Sequence, residues 1–369
     1  MEFDYVIVGS GITGCTIAET LANKSNNKIL VIEKRNHIGG NIYDYYNDEG
    51  ILVHKYGPHI FHTNNKRIWD YLSKFTEWNL YNHKVLGYID GTLAPIPFNI
   101  NTLYRVFPIK LANNLEEILI RRFGYGNKIT ILQLRKENDG ELQFLANFIY
   151  EKIFLNYTAK QWSMEPEDLD VEVMNRVPIV ISRDDRYFHD KYQGIPKSGY
   201  TNMLKKMLKN KNIYLLLNTD YKEVINGIKY KKLIYTAPAD YFFDYKYGKL
   251  EYISLDFKFE TYYYEKYQPV ATINYPNEYE FTRITEFKHM TYQEHKFTTI
   301  VKEYPKKCVN KYDIPCYPVL NSINLDIYRR YKLEIDNMHN TIFIGRLAEY
   351  RYINIDQAIE RALKLADNI

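Results

Sequence analysis

The chain has 369 residues, 46% hydrophobic and 25% charged, which is typical of a globular protein with two or three lobes. The formal net charge is only +4 and basic residues are interspersed with acidic ones, so nothing indicates nucleic-acid binding. Three cysteines without paired spacing (Cys15, Cys308 and Cys316) indicate a reducing compartment, with no disulfide framework or metal site. No apolar stretch is long enough to span a bilayer, and we therefore expect a cytoplasmic protein.

The chain begins with a strand pattern that leads directly into a glycine turn. Tyr5–Val8 is apolar and rich in β-branched residues, as expected of a strand buried on both faces of a parallel sheet. A helical pattern follows, and then a second apolar strand, Ile29–Ile32, which ends at Glu33. The turn between the first strand and the helix contains Gly9, Gly11, Thr13 and Gly14.

Each part of this segment suits a dinucleotide. Gly9 permits the tight turn, Gly11 lets the backbone approach a pyrophosphate, and Gly14 lets the helix pack closely on the strand. The pyrophosphate would lie at the helix N-terminus, where free N–H groups and the helix dipole favour negative charge. Glu33 would accept hydrogen bonds from the adenosine ribose hydroxyls, which argues against the 2′-phosphate of NADP.

A glycine pair soon after Glu33 indicates which dinucleotide, NAD or FAD, the predicted site binds. Gly39 and Gly40 lie in the segment Lys34–Asn41, and this spacing is similar to that of flavoproteins of the glutathione-reductase and amine-oxidase lineage. The chain has no second glycine fingerprint and no Cys-x-x-Cys, which argues against a disulfide reductase with its own nicotinamide domain. We therefore expect FAD, bound tightly, with Gly40 and Asn41 close to it.

The rest of the chain predicts two insertions. Trp69–Leu169 is mainly helical in pattern, with Pro95, Pro97 and Pro108 marking loops. Strand patterns dominate from Val171, and Glu251–Phe259 and Tyr262–Ile273 alternate as in an antiparallel sheet. Between them, Tyr187–Tyr200 is rich in loop residues, and we expect a mobile lid there.

Three further segments return to the dinucleotide domain. Asn212–Leu217 and Lys232–Tyr235 predict central strands, and Thr341–Arg346 predicts a buried strand ending in a glycine turn before a last helix from about Asn354. The predicted fold is α/β, a Rossmann-like FAD-binding domain with an inserted helical lobe and an inserted antiparallel sheet lobe. The expected domains are the FAD-binding domain (1–77, 192–240, 316–369), the helical domain (78–168) and the sheet domain (169–191, 241–315).

At this point the chain resembles the bacterial UDP-galactopyranose mutase family from end to end. The matching stretches are Val6–Gly14, Val31–Asn41, Lys55–Thr63, Tyr157–Trp162, Tyr192–Tyr200 and Gly345–Tyr350. The resemblance implies an isomerase that interconverts UDP-galactopyranose and UDP-galactofuranose. It implies reduced FAD as the active cofactor, a covalent adduct between its N5 atom and the anomeric carbon, an external reductant such as NAD(P)H or a reductase, and a homodimer.

The resemblance also implies roles for particular residues. Arg176 and Arg283 would bind the diphosphate, and His62 would lie against the flavin with His59 nearby. The other implied substrate-binding residues are Phe154, Tyr157, Trp162, Tyr187, Tyr317, Tyr352, Asn354 and His59. The implied cofactor-binding residues are Gly9, Gly11, Thr13, Gly14, Glu33, Lys34, Gly40, Asn41, His59, His62, Gly345, Arg346 and Tyr352.

Two positions depart from the family, and three alternatives stay open. Family members carry Asp at the position of Asn354 and often Arg at that of Ile253, which bears on substrate preference and rate. The alternatives are a mutase for a related UDP-hexose such as UDP-N-acetylgalactosamine, an amine-oxidase-like flavin oxidoreductase, and a flavin-free escort protein of the same fold. Asn354 also predicts an N-cap, because Gln357 three residues later completes a capping-box pair.

Overall fold

The computed structural model describes residues 2–162, 177–310 and 312–369. Its strands are, in chain order, β1 (Glu2–Val8), β2 (Ile29–Ile32), β3 (Asp44–Tyr46), β4 (Leu52–His54), β5 (Phe61–Thr63), β6 (Trp78–Leu80), β7 (Val85–Ile89), β8 (Thr92–Ile96), β9 (Lys128–Ile129), β10 (Ile179–Val180), β11 (Tyr192–Pro196), β12 (Ile213–Leu216), β13 (Lys229–Tyr235), β14 (Tyr252–Tyr262), β15 (Thr272–Asn274), β16 (Arg283–Glu286), β17 (Thr298–Lys307), β18 (Tyr317–Pro318) and β19 (Thr341–Phe343).

The α-helices are α1 (Ile12–Ser25), α2 (Lys66–Ser73), α3 (Ile100–Val106), α4 (Ile109–Phe123), α5 (Ile131–Leu134), α6 (Gly140–Ile149), α7 (Asn156–Trp162), α8 (Tyr200–Met207), α9 (Tyr221–Val224), α10 (Ala239–Phe242), α11 (Lys288–Thr291), α12 (Ser322–Asp336) and α13 (Ile355–Asn368). A π-helix, Tyr150–Leu155, joins α6 to α7, and short 3-10 turns occur at Gly40–Ile42 and Ile225–Gly227. The chain divides into two compact units. Unit 1 contains Met1–Tyr81, Asp190–Ser254 and Cys308–Ile369, and unit 2 contains Asn82–His189 and Leu255–Lys307.

Unit 1 is built on a five-stranded parallel sheet. Its strand order is β12-β2-β1-β13-β19, and neighbouring strands are in parallel register. Ile7 and Ile29 pack on one face with residues of α1 and α13, while Val6 and Leu30 pack on the other face with Tyr235. The predicted strands Tyr5–Val8 and Ile29–Ile32 are therefore confirmed, as is the Rossmann-like class of this sheet.

Two predictions for unit 1 are wrong. Asn212–Leu217 was expected to be a central strand, but β12 lies at the end of the sheet, where Tyr214 and Leu215 are 37% and 42% exposed. The segment Tyr187–Tyr200 was expected to be rich in loop residues, and this is wrong for Tyr192–Pro196, which forms β11 between β5 and β6 in a three-stranded antiparallel sheet. A Cβ on Gly194 would lie 2.9 Å from the Asn79 carbonyl oxygen, so this glycine permits close strand packing and does not mark a loop.

Unit 2 contains a mainly antiparallel sheet with the strand order β14-β17-β16-β15-β7-β8. The first residues of β14 belong to unit 1, where they pair with β18. The predicted strand Tyr262–Ile273 is wrong over most of its length, because β14 ends at Tyr262 and β15 begins only at Thr272. Between them the backbone N–H groups of Tyr267 and Gln268 are bound by the buried Glu286 carboxylate, at 2.9 and 3.0 Å, and do not form strand pairs.

The helices of unit 2 enclose an apolar core that includes Leu103, Leu115 and Leu145. The expectation of a mainly helical segment from 69 to 169 is wrong for its first third, because β7 and β8 form a hairpin there. The hairpin turn is Asp90-Gly91, and both residues have positive φ (46° and 84°), as the favoured two-residue hairpin turn requires. Unit 2 thus contains both segments for which we predicted separate helical and sheet lobes, and that division stays a prediction.

Candidate functional site

The glycine turn of unit 1 has the close contacts that a dinucleotide-binding turn needs. Gly9 has a φ of +102°, and a Cβ on Gly14 would lie only 2.0 Å from the Gly9 carbonyl oxygen. Gly11 is the N-cap of α1 and has no side chain to cap the helix. A Cβ on Gly40 would lie 3.0 Å from the Cα of Gly11, so the glycine pair passes directly against the turn.

Glu33 is buried at this turn and holds it in place. Its Oε2 accepts hydrogen bonds from both the backbone N–H and the hydroxyl of Ser10, each at 2.8 Å. Its Oε1 accepts the backbone N–H of Arg35 at 3.0 Å. Since a carboxylate oxygen has two lone pairs, both of those on Oε2 are used, and Oε1 can still accept one further hydrogen bond from a ligand. Ser10 was not predicted as part of the site.

Arg35 is a second residue that the sequence analysis missed. Its Nη2 donates to Asn41 Oδ1 at 2.8 Å, and its guanidinium lies 4.7 Å from the ring centre of Tyr56. Its Nη1 is buried and has no hydrogen-bond acceptor among the described residues. A guanidinium donor that is buried and unpaired beside a glycine turn is chemically suited to an anionic or carbonyl-bearing ligand. By contrast, the predicted Lys34 directs its exposed ammonium to Asp220, at 3.3 Å.

The two predicted histidines lie near β5 and have different partners. His62 places Nδ1 2.9 Å from Asp190 Oδ2, which fixes the direction of its ring. His59 places Nδ1 2.9 Å from the Gly57 carbonyl oxygen, and its backbone N–H donates to His54 Nδ1 at 3.0 Å. Asp190 was not predicted, and it is 128 residues from His62 in the chain.

Arg346 forms a cluster with two predicted tyrosines. Its Nη2 and Nε donate to the Ile353 carbonyl at 2.7 and 3.1 Å, and its Nη1 donates to the Cys316 carbonyl at 3.2 Å. The guanidinium lies 5.4 Å from the ring centre of Tyr317 and 5.0 Å from that of Tyr352. The two rings are stacked, with centres 5.9 Å apart. The structure therefore brings three residues with predicted roles together.

The two positions that we expect to depart from the family lie beside this cluster. Asn354 is the N-cap of α13, as predicted, and its backbone N–H donates to Gln357 Oε1 at 3.0 Å. It directly follows Ile353, whose carbonyl accepts from Arg346. Ile253 is buried in β14 and pairs with Tyr317 of β18. Gly345, in the turn that follows β19, has a φ of +105° and lies against Thr13.

Unit 2 carries the predicted arginine Arg283 at the start of β16. Its Nε lies 2.8 Å from Oε1 of Glu303, which is fully buried in β17, while the Arg283 side chain is 24% exposed. The two residues face each other across the antiparallel pair. Glu303 was not predicted, because it lies on a different strand and no local pattern marks it. The other predicted arginine, Arg176, lies outside the described residues.

The aromatic residues predicted for the uridine lie on and before α7. Phe154 is in the π-helix and packs in the apolar core of unit 2. Tyr157 is half-buried, and Trp162, the last residue of α7, is buried. Tyr187 packs against the same core, donates its backbone N–H to the His83 carbonyl at 2.7 Å, and contacts the Phe188 ring edge to face.

The fold and the glycine turn together define a dinucleotide-binding protein of the Rossmann-like class. A sequence profile described as an NAD(P)-binding Rossmann-like domain matches residues 7–75, and one described as UDP-galactopyranose mutase matches residues 152–352. The chain belongs to the UDP-galactopyranose mutase family, whose members are isomerases.

Curated relatives match this chain over nearly its whole length. A probable UDP-galactopyranose mutase of Klebsiella pneumoniae is 35% identical over 98% of this chain and 93% of the relative. A UDP-galactopyranose mutase of Mycoplasma genitalium is 34% identical over 100% of this chain and 95% of the relative. A dTDP-fucopyranose mutase of Escherichia coli is 36% identical over 98% of this chain and 97% of the relative.

A crystal structure of reduced UDP-galactopyranose mutase superimposes with a TM-score of 0.76, covering 100% of this chain and 94% of that chain, at 16% identity. A putative protoporphyrinogen oxidase of Exiguobacterium superimposes with a TM-score of 0.68 at 12% identity. At such low identities these likenesses concern the fold alone. In the part of the chain that the structure describes, no helix has the length and apolar character needed to cross a membrane.

Proposed function

We propose that the chain interconverts UDP-galactopyranose and UDP-galactofuranose. The observation that carries this proposal is the 34–35% identity, over nearly the whole chain, to relatives named for that activity. The environment of Arg283, beside Glu303, is suited to a diphosphate, and that of Arg346, beside its two tyrosines, is suited to a cofactor. An amine-oxidase-like function and a mutase for an acetamido sugar are not favoured.

The cofactor of this proposal is FAD, bound by unit 1. The glycine turn, the N-terminus of α1 with no side-chain cap, and the buried unpaired Nη1 of Arg35 all fit a dinucleotide. In the proposal, Gly11 and Thr13 approach the pyrophosphate, and Glu33 accepts from the ribose hydroxyls. When bound in its reduced form, FAD supplies the nucleophile, its N5 atom, for the anomeric carbon of the sugar, so that the reaction has no net redox change.

The chain's own residues then bind and orient the substrate. In the proposal, Arg283 and Arg176 bind the diphosphate, because a guanidinium is permanently charged and can donate two parallel hydrogen bonds to phosphate oxygens. Their charge stabilises the UDP leaving group as negative charge develops on it. The hydroxyls of Tyr187, Tyr317 and Tyr352 donate further hydrogen bonds to the phosphates.

Other residues contact the uracil ring and the flavin in this proposal. Tyr157 stacks on the uracil ring, with Phe154 and Trp162 excluding water around it. His62, whose ring is oriented by Asp190, and Arg346 contact the flavin in this proposal, with His59 and Gly345 nearby. None of these side chains needs to act as a nucleophile.

The decisive test of activity compares two substrates. Dithionite-reduced holoprotein is incubated with UDP-galactofuranose, and the formation of UDP-galactopyranose is followed by chromatography. The similarity to the dTDP-fucopyranose mutase supports a second candidate, so the furanose form of dTDP-fucose is tested in parallel. Higher kcat/KM with the dTDP sugar would replace the proposed substrate, and equal turnover with oxidised protein would overturn the role of reduced flavin.

The cofactor proposal has its own test, with a matched pair of glycines. Gly14→Ala places a Cβ 2.0 Å from the Gly9 carbonyl, whereas a Cβ on Gly140 at the start of α6 meets nothing within 4 Å. We expect Gly14→Ala to purify with little bound flavin and Gly140→Ala to retain it. Full flavin absorbance in the Gly14→Ala protein would show that the turn does not bind the cofactor.

An external reductant such as NAD(P)H or a reductase, a homodimer and a cytoplasmic location are further parts of the proposal. Anaerobic bleaching of the flavin absorbance by NADH or NADPH tests the first. Sedimentation equilibrium of the holoprotein tests the second, and fractionation of cells that express the chain tests the third.

A further inference from the structure

A lysine connects helix α7 to the turn that precedes Arg283. The Nζ atom of Lys160 donates to the carbonyl oxygens of Tyr275 and Tyr279, at 2.5 and 2.9 Å. Both carbonyls belong to the turn between β15 and β16. The Lys160 ammonium therefore binds two main-chain carbonyl oxygens of a single turn in unit 2.

An asparagine makes a second connection between the same two segments. Asn156 Nδ2 donates to Asn277 Oδ1 at 2.9 Å, and Asn277 Nδ2 donates to the carbonyl oxygen of Lys152 at 3.1 Å. Asn277 lies in the β15–β16 turn, while Lys152 lies in the π-helix and Asn156 is the first residue of α7. The turn is thus held to both ends of the helical segment that carries Tyr157.

The turn leads directly into the strand that carries Arg283. The Tyr275 N–H donates to the Thr282 carbonyl at 2.8 Å, and the Thr282 N–H donates to the Glu303 carbonyl at 2.9 Å. Moreover, α7 packs against β17, the strand of Glu303. A displacement of α7 would therefore be transmitted to Arg283 through the turn and through its ion-pair partner.

Helix α7 is continuous with α6 through the π-helix, which interrupts the regular hydrogen-bond pattern. Tyr157 and Lys160 therefore lie on the same helical segment, and the connections made by Lys160 and Asn156 fix the turn to that segment.

The ammonium of Lys160 is half-buried at these contacts. Burial lowers the pKa of Lys160 to about 8, and the Glu278 charge opposes this only in part. Because the folded-state pKa lies below the usual lysine value, folding at neutral pH is disfavoured by having to keep the ammonium charged there. The two carbonyl oxygens that accept from Nζ offset part of this cost.

We propose that Lys160 is a positioning residue that fixes α7 to the β15–β16 turn and thereby sets Tyr157 relative to Arg283. The inference rests on the proposed function, in which Tyr157 contacts the uracil and Arg283 the diphosphate. Lys160 itself needs no contact with the substrate. Its effect on binding acts through Arg283.

The experiment measures UDP and uridine affinity of the holoprotein by calorimetry. Lys160→Met is expected to weaken UDP binding about tenfold and uridine binding by less than about twofold, because Tyr157 stays on its helical segment while the turn that leads into Arg283 is released. Lys160→Arg, which can still donate to both carbonyls, should recover most of the affinity. The matched control is Lys152→Met, whose ammonium pairs with exposed Asp90 at 2.9 Å. It should bind UDP like the wild type.

A double-mutant cycle separates positioning from a general structural role. In the background Arg283→Met with Glu303→Gln, which removes the ion pair without leaving a buried charge, Lys160→Met should have no further effect on UDP affinity. If Lys160→Met does not fold, Asn277→Ala removes the second connection and should show the same pattern. Additive losses in the cycle, equal losses for UDP and uridine, or no recovery with Lys160→Arg would overturn the inference. Failure of the wild type to bind UDP would instead overturn the proposed function.

Discussion

Unit 1 and unit 2 each present an arginine with a predicted role, but they hold it in different ways. Arg346 in unit 1 is fixed by main-chain carbonyls and by the rings of Tyr317 and Tyr352. Arg283 in unit 2 is fixed by the carboxylate of the fully buried Glu303. A guanidinium held by neutral groups keeps its full charge for a ligand, whereas one held by a carboxylate is partly neutralised but strictly oriented.

This difference suits the proposed roles. A permanently bound cofactor needs a charge that stays in place, and carbonyl acceptors supply this without cancelling it. A leaving group that departs and returns in each cycle needs an arginine whose position does not change when the anion is absent. The buried Glu303 provides that, since its ion pair with Arg283 requires no ligand.

The largest expected effect tests the ion pair of unit 2. Arg283→Met should lower the free energy of unfolding by about 3 kcal/mol, because Glu303 is left as a buried charge without a partner. The variant Arg283→Met with Glu303→Gln should regain most of that stability while UDP binding stays weak. Urea unfolding and calorimetry measure the two quantities. A single variant as stable as the wild type would show that the buried carboxylate does not depend on Arg283.

The corresponding substitution in unit 1 should lower the free energy of unfolding by less. Arg346→Met removes the donor to the carbonyls of Ile353 and Cys316 but leaves no buried charge, and a neutral carbonyl without a partner costs less than a buried carboxylate without one. We expect a smaller loss of stability than for Arg283→Met, together with reduced flavin content. Flavin absorbance per protein and urea unfolding test this. A larger loss of stability than in unit 2 would contradict the comparison.

Two buried carboxylates extend the comparison to pH. Burial raises the pKa of Asp44 in unit 1 above its usual value, although the backbone N–H groups of Thr201 and Tyr200 oppose this. Burial also acts on Glu286 in unit 2, but hydrogen bonds from His289 and from other donors outweigh it and lower the pKa.

The signs of the two pH effects are opposite. Glu286 stabilises the fold above its usual pKa of about 4.3, and this contribution is lost as pH falls through the lower folded value. Asp44 favours the protonated folded state, so its contribution is lost as pH rises through its raised folded pKa. Below pH 5 we expect the urea midpoint to vary less with pH in Glu286→Gln than in the wild type. In Asp44→Asn it should vary more than in the wild type. The same pH dependence of the urea midpoint in both variants would contradict the opposite signs assigned to the two carboxylates.

The smallest expected effect concerns Asn354. Asp and Asn are equally good N-caps, so Asn354→Asp should leave the unfolding free energy and the flavin content unchanged. The added charge should weaken UDP binding modestly, by less than the roughly 2 kcal/mol that two unit charges about 8 Å apart give at a dielectric of 20. UDP affinity at low and high salt measures this, with a smaller difference at high salt. Tighter binding by the Asp variant would show that a carboxylate is wanted at this position.

The sequence alone predicted the β1–α1–β2 unit, its glycine turn and Glu33, and also the N-cap at Asn354. These features depend on contacts within a few residues or on the regular alternation of apolar positions, both of which are visible in a single chain. The hairpin of β7 and β8 was missed although Asp90-Gly91 is a strong turn signal. Within Tyr187–Tyr200 the strand β11 was missed, because it pairs with β5 and β6, which are distant in the chain. The expected closure of this segment on the substrate stays a prediction.

Only the tertiary structure decided how the candidate side chains are held. Asp190 reaches His62 across 128 residues, Glu303 meets Arg283 through the pairing of β16 and β17, and Arg346 joins Tyr317 by a cation–π contact. A residue's type shows which charge or donor it offers, and this is why the sequence indicated the arginines. Its partner depends on strand register and chain topology, which bring distant residues together and leave no local pattern in the sequence.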